Sequence, residues 1–286
     1  MGDFLIASLA DGLLLGFVYG IAAMGLSLIW GVMDVINLAH GPVIALGMLG
    51  VYFAFVGLGM NPYLTLALVA AGGLLLGILI YWGAVHRVIN APHLSTLLAT
   101  FAVNMIIIGI GTAVFTTSPR NVDFSLGSLS VGPITLSWAR VSAAMAAMFV
   151  TAALFWFLFR TQPGKAIRAV SDNRAAAELM GIPTSWILAL SFGLGTMLAA
   201  VSGGLIATFF PFTILAGGSY QLKSFVICVL GGLGNPLGAL IGGLLLGALE
   251  GIIPGFVETS WVPVLEFVLF VLILMVRPQG LLGSKS

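Results

Sequence analysis

Charged residues are scarce in this chain. Asp, Glu, Lys and Arg together make up 7% of the 286 residues, whereas a soluble domain carries about 25%, so they cannot form a water-facing surface. The ten basic residues nearly balance the nine acidic ones, and they are too few to cluster against phosphates. The composition therefore excludes an ordinary soluble domain, and it excludes nucleic acid as a partner.

Cysteines and the common catalytic motifs are also missing. The single cysteine, Cys228, lies inside an apolar run and has no second cysteine with which to form a disulfide or share a metal. His40 has no second His, Cys or carboxylate at ligand spacing within the apolar segments. The sequence contains no P-loop, G-x-S-x-G or H-E-x-x-H motif. We predict no catalytic residues, no metal site, no cofactor and no ATPase site in this chain.

Long apolar runs dominate what the sequence does contain. Hydrophobic residues make up 60% of the chain, in runs near the length of about 20 residues that a transmembrane helix needs. We therefore predict an all-α polytopic membrane protein, with one transmembrane domain over the whole chain, 1–286. The eight predicted segments are 9–30, 38–57, 63–85, 94–115, 139–160, 186–210, 223–249 and 261–276.

Basic residues predict the orientation in the membrane. Basic residues favour cytoplasmic loops, and four of the ten fall in the loop 160–185: Arg160, Lys165, Arg168 and Arg174. Counting back through five segments places the loop 116–138 and the N-terminus outside. The first apolar run has no Lys or Arg before it, so we interpret it as the first span rather than a cleavable signal peptide.

One segment does not fit this orientation. If every later segment crossed the membrane, Arg277 and Lys285 would lie outside, against the preference of basic residues for the cytoplasm. Segment 223–249 is interrupted by GGLGNP, and its second half, 237–249, would be a helix of about 20 Å, too short for a hydrocarbon core of about 30 Å. A re-entrant hairpin with 232–236 at membrane depth returns the C-terminus to the cytoplasm. An eighth full crossing is the alternative.

Polar residues stand beside a proline in two apolar segments. In LAHGP and GLGNP a His or Asn directly precedes the Gly-Pro or Pro, and non-helical backbone at membrane depth survives only beside protein or a water-filled cavity. Such residues either cap their own helix or face a transport pathway. The candidate path residues are Asn37, His40, Gly41, Pro42, Asn235 and Pro236, with Asn104 added from the middle of the fourth segment.

The cytoplasmic loop is predicted to form short helices rather than a slack linker. Pro163 suits a first helical turn, and Ser171 or Asp172 suits the start of a second helix. A compact charged helix of this kind favours docking on a cytoplasmic partner, and a solvated loop is the alternative. Two pairs are spaced at i, i+4 to form ion pairs: Arg168 with Asp172, and Arg174 with Glu178.

Four stretches of the sequence resemble one known family. They are residues 12–50, GKAIRAVSDNRAAAELMGI, VLGGLGNPLGALIGG and the terminal RPQGLLG, and the resemblance runs almost end to end. They resemble the branched-chain amino acid permeases of bacterial and archaeal ABC importers, in particular the shorter subunit of the permease pair. The related permeases for urea and short-chain amides share most of these motifs.

The resemblance implies a multi-pass subunit of the cell inner membrane that imports Leu, Ile and Val. The partners it implies are a second, longer permease, two cytoplasmic ATP-binding subunits and an extracytoplasmic substrate-binding protein. Residues 163–181 would form the coupling helix that enters an ATPase groove, and residues 37–41 would lie near the translocation path. The implied coupling residues are Gly164, Lys165, Arg168, Asp172, Arg174, Ala176, Glu178 and Gly181.

The sequence leaves other functions open. A urea or amide importer would share the same architecture, because the separate binding protein largely sets the substrate. An ATP-independent channel or secondary transporter would couple to ions through an intramembrane carboxylate, for which Glu250 or Glu266 is available.

Overall fold

The fold is described from a computed structural model. It describes residues 2–124, 127–131, 134–277 and 279–283. Lys285, one of the two basic residues that predict a cytoplasmic C-terminus, lies outside this part of the chain. The helices and strands, in chain order, are α1 (Gly2–Met33), α2 (His40–Leu58), α3 (Pro62–Ile80), α4 (His93–Phe115), β1 (Ser128–Val131), β2 (Ile134–Ser137), α5 (Trp138–Arg160), α6 (Gln162–Asp172), α7 (Arg174–Leu179), α8 (Thr184–Ile206), α9 (Gly217–Gly231), α10 (Pro236–Ile252) and α11 (Val262–Val276).

The transmembrane segments are largely where the apolar runs predict them. Eight stretches of the described chain are long and apolar enough to cross a membrane, but they are not the same eight. Segment 223–249 divides into α9 and α10, and each, with its flanking 3-10 turn, is a candidate span of its own. The segment 261–276 is the 15-residue helix α11, which is about 22 Å long.

The centre of the bundle is formed by α1 and α8. Almost every residue of α8 is buried, and the Ser202 hydroxyl donates a hydrogen bond of 2.9 Å to the carbonyl oxygen of Val18 on α1. Since Gly195 packs against Gly25, the two helices run antiparallel. In contrast, α4 buries few of its residues and lies at the edge of the bundle.

A seam of glycines joins α1 to α10. Gly243 packs on Gly20 and Gly247 packs on Gly16, so the two helices are antiparallel and their backbones touch. A Cβ on Gly243 would lie 2.5 Å from the Cα of Gly20. Close approach of this kind is the role of small residues spaced by four in membrane helices. The spacing of these glycines therefore reflects the packing of α10 on α1.

The hairpin formed by α9 and α10 differs from the prediction in one respect. With its 3-10 turn, the second arm runs from Pro236 to Gly255, so it is not too short to cross. The hairpin tip, residues 232–235, lies beside α6 and the end of α1, where Gly234 contacts Gly31. The tip therefore lies level with the end of α1 and not half-way along it; its depth in the membrane stays a prediction.

The hairpin nevertheless gives the arrangement that the charges require. Glu250 lies at the same end of the bundle as Asp11 near the start of α1. The chain after α11 returns to the hairpin tip, where the N–H groups of Leu281 and Leu282 bond the carbonyl oxygens of Leu230 and Gly231 at 2.8 and 3.1 Å. Leu281 and Leu282 therefore lie at the end of the bundle that carries α6.

The loop 116–138, which is predicted to be external, holds a short antiparallel hairpin that the sequence did not predict. Ser128 pairs with Ser137 and Val131 with Ile134, just before α5 begins. The Arg120 guanidinium donates to the carbonyl oxygen of Phe115 at 2.6 Å. Residues 125–126 and 132–133 of this predicted loop lie outside the described part of the chain.

Candidate functional site

The connection between α1 and α2 is a non-helical segment inside the bundle. It comprises residues 34–39, here called the break, and begins with Asp34 at a positive φ of 51°. After the break, His40 opens α2 with its Nε2 2.9 Å from the carbonyl oxygen of Ala22. Ala22 lies eleven residues, or about 16 Å, before the end of α1. Helix α2 therefore starts part-way along α1 and not at its end.

Asn37 and His40 are buried at the break and only partly bonded. Asn37 Oδ1 accepts a hydrogen bond of 3.0 Å from the N–H of Ala39, which is a local cap. Within the described chain, two buried side-chain atoms at the break have no hydrogen-bond partner: Asn37 Nδ2 and His40 Nδ1. Buried polar groups normally find a partner, so these atoms remain available to water or to a polar ligand.

Gly41 and Pro42 lie in the first turn of α2. Proline is tolerated in a first helical turn, so the helix is interrupted before Pro42 and not by it. The N–H of Gly41 donates to Gln221 Oε1 of α9 at 3.1 Å. A Cβ at Gly41 would lie 2.6 Å from both this oxygen and the carbonyl oxygen of Gly217. Gly41 therefore allows α2 and α9 to touch at the break.

The other predicted path residues lie elsewhere. Asn104 is half-buried on peripheral α4, one turn beyond Thr100, whose hydroxyl donates to the carbonyl oxygen of Ile36 at 2.9 Å. Asn235 is at the hairpin tip: its Oδ1 caps α10 by accepting from two backbone N–H groups at 3.1 Å, and its Nδ2 donates to the carbonyl oxygen of Leu282. Pro236 is the first residue of α10. Asn235 is therefore a cap at the hairpin tip, beside the end of α1.

Helix α6 is held firmly against α5. The Thr161 hydroxyl caps α6 by accepting from the N–H of Gly164 at 3.2 Å, and Gly164 packs on the backbone of Leu158. Arg168 Nε donates to the carbonyl oxygen of Leu158 at 3.1 Å, and its guanidinium lies 4.7 Å from the centre of the Phe159 ring. Among the described side chains it forms no ion pair with Asp172, so that predicted pair is wrong. Arg168 anchors α6 instead.

Helix α7 is a separate short turn. Its cap is Asn173, which accepts from the N–H of Ala176 at 2.9 Å, rather than Ser171 or Asp172 as predicted. The predicted pair of Arg174 and Glu178 is present, with Nε to Oε1 at 3.5 Å. Glu178 also accepts from the Thr184 hydroxyl at 2.6 Å, which ties α7 to α8. The turn after α7 contains Gly181 at a φ of 79°, a conformation that glycine adopts without strain.

The outer surface of α6 and α7 is free of such anchors. Lys165, Asp172 and Ala176 are exposed. Beside them, Leu179 and Met180 are 89% and 82% exposed, although they are apolar and lie outside the transmembrane helices. These two residues were not among the predicted coupling residues. The signal was an apolar pair within an otherwise polar and alanine-rich loop.

The comparisons with known proteins fit this arrangement. The family model of the branched-chain amino acid transport system permease component matches residues 8–276. The chain belongs to this permease family. It is 31% identical to the high-affinity branched-chain amino acid transport system permease protein LivH of Salmonella typhimurium, over 96% of this chain and 94% of the relative. It is 30% identical to BraD of Pseudomonas aeruginosa, with 97% and 95% covered.

A solved structure shares the fold of the permease. The PsaBC complex of Streptococcus pneumoniae with a Fab contains a chain that superimposes with a TM-score of 0.50 at 17% identity, covering 94% of this chain and 92% of that one. The permease is a multi-pass protein of the cell inner membrane. As the permease of an ABC importer it works with an ATPase and further subunits.

Proposed function

We propose that this permease moves branched-chain amino acids, Leu, Ile and Val, into the cell. The observation that carries the proposal is the match along nearly the whole chain to permeases named for high-affinity transport of these substrates. Its partners are a second, longer permease, two cytoplasmic ATP-binding subunits and an extracytoplasmic binding protein. The chain acts as one transmembrane domain and leaves ATP hydrolysis to those subunits.

The substrate passes the break between α1 and α2. Asn37, His40, Gly41 and Pro42 form this part of the path, with Asn104 at its edge. The buried, unpartnered atoms of Asn37 and His40 support this role. Unpaired polar groups inside a membrane protein cost free energy, and those that are present usually mark a pathway. Gln221 joins the site through its hydrogen bond with the N–H of Gly41.

The loop 160–185 couples the permease to an ATPase. Gly164, Arg168, Arg174, Glu178 and Gly181 fix its shape through the contacts described above. The residues that touch the partner are the exposed ones: Lys165, Asp172, Ala176, Leu179 and Met180. A mixed surface with an exposed apolar pair is typical of a docking site.

The test is transport by the reconstituted complex. The permease is co-expressed with its partner subunits, inserted into liposomes with ATP inside, and supplied with the binding protein and labelled L-leucine. We expect ATP-dependent uptake of L-leucine, and no uptake by liposomes that hold this chain alone. Uptake of urea or acetamide in place of L-leucine, or uptake without ATP, would overturn the proposal.

A further inference from the structure

A second polar site lies at the external end of the bundle. It is a pocket of about 390 Å³ between the outer ends of α1, α5, α9, α10 and α11. Four charged residues line it: Asp11, Arg140, Lys223 and Glu250. The rest of its wall is largely apolar and includes Leu15, Phe210 and Val262. Its volume falls within the range of about 300–1,000 Å³ that is usual for small-molecule sites.

Charges of both signs are held together in this external pocket. Lys223 Nζ lies 2.7 Å from Glu250 Oε2 and 3.6 Å from Glu266 Oε1, and Arg140 pairs with Asp11. The Tyr19 hydroxyl donates to the other oxygen of Glu250 at 3.4 Å. Glu266 is 5% exposed, and its Oε1 accepts no hydrogen bond within the described chain. Three carboxylates thus face two cations, which leaves one negative charge in excess.

Helix packing alone does not require this cluster. The glycine seam already holds α10 against α1, and an apolar contact would join α9 to α10 without the cost of removing charges from water. Charged residues within transmembrane helices are costly and mark substrate pathways. In the pocket wall the Glu250 carboxylate suits an ammonium group, while Arg140 and Lys223 suit a carboxylate.

We propose that the external pocket binds the zwitterionic backbone of an aliphatic amino acid on its way into the permease. The ammonium group lies against Glu250, the carboxylate lies against Arg140 and Lys223, and the side chain contacts the apolar wall. This inference rests on the proposed function and deepens it, because it places amino acid selection in the permease as well as in the binding protein. Urea and amides carry no formal charges and would form no ion pairs with these residues.

The first test removes single charges in the complete complex. Lys223→Met and Glu250→Gln keep the side-chain size, and each should lower the maximal uptake of L-leucine by about tenfold or more, measured with saturating binding protein and ATP. Copurification with the partner subunits should be unchanged. The matched control is Glu258→Gln, which removes an exposed external carboxylate outside the pocket and should leave uptake unchanged.

The second test separates substrate binding from a structural ion pair. The double variant Lys223→Glu with Glu250→Lys keeps the pair but reverses its charges. If the pocket binds the zwitterion, uptake stays low although the complex assembles. Recovery of wild-type uptake in this variant would overturn the inference, as would wild-type uptake in both single variants. The proposed function fails separately, through absence of L-leucine uptake by the wild-type complex.

Discussion

The imidazole of His40 bonds the carbonyl oxygen of Ala22, eighteen residues earlier, at 2.9 Å. The ring therefore holds the start of α2 against the middle of α1. Since Nε2 donates the proton in this bond, the other nitrogen, Nδ1, is an acceptor, and it has no partner within the described chain. One side of the ring thus fixes the break and the other is free to meet a polar group.

Replacing this histidine should impair transport more than stability. In His40→Leu one hydrogen bond is lost, which costs about 0.5–1.5 kcal/mol, too little to prevent assembly. We expect uptake of L-leucine to fall severalfold, because the break loses both its anchor and its acceptor. Uptake in proteoliposomes and copurification of the ATPase measure the two effects. Wild-type uptake in both His40→Leu and Asn37→Leu would show that these residues are no more than local caps.

The glycine seam predicts a stability difference between two identical substitutions. In Gly243→Ala the new methyl group meets the backbone of Gly20, which cannot move aside, so we expect a loss of about 1–3 kcal/mol. Gly109 on α4 is exposed and has open space around it, and alanine is the better helix former by about 1 kcal/mol. Thermal unfolding in detergent should show a lower midpoint for Gly243→Ala and no loss for Gly109→Ala. Equal midpoints would contradict the close packing of α1 and α10.

Most of the transmembrane helices could be predicted from the sequence, because apolar runs of the required length show directly which segments enter the membrane. The ends of α9 and α10 could not. The predicted segment ran from 223 to 249, whereas the two helices begin at Gly217 and end at Ile252. In the structure Lys223 Nζ lies 2.7 Å from Glu250 Oε2. Such pairing allows charged residues to lie within transmembrane helices.

The candidate path could be predicted in part. Asn37 and His40 were evident as polar residues beside Gly-Pro in an apolar segment. Gln221 was not, because its contact with Gly41 joins residues 180 positions apart and no local pattern encodes it. At Asn235 the same polar-proline pattern marks the cap of α10, and its role in the path stays a prediction.

The exposed pair on the cytoplasmic loop predicts a docking defect without a folding defect. Leu179 is 89% exposed, so Leu179→Ser should change the stability of the isolated permease by less than about 0.5 kcal/mol. If an ATPase covers this residue, the same change should weaken copurification and uptake. Ala176→Trp adds bulk to the same exposed surface and should act in the same direction. Normal copurification and uptake in both variants would show that this surface is not the docking site.

The position of the hairpin tip can be tested by cysteine labelling in membrane vesicles. The native Cys228 is buried and should give little background. Leu233→Cys, at the exposed tip, should react with a membrane-impermeant maleimide from the cytoplasmic side, as should Asp172→Cys on α6, because both lie at the same end of the bundle. Gly255→Cys should react from outside, because it ends the second arm of the hairpin.

If the tip were buried in the middle of the membrane, Leu233→Cys would react from neither side. Labelling of Gly255→Cys from the cytoplasmic side alone would show that α10 does not cross, and would contradict the external position of Glu250.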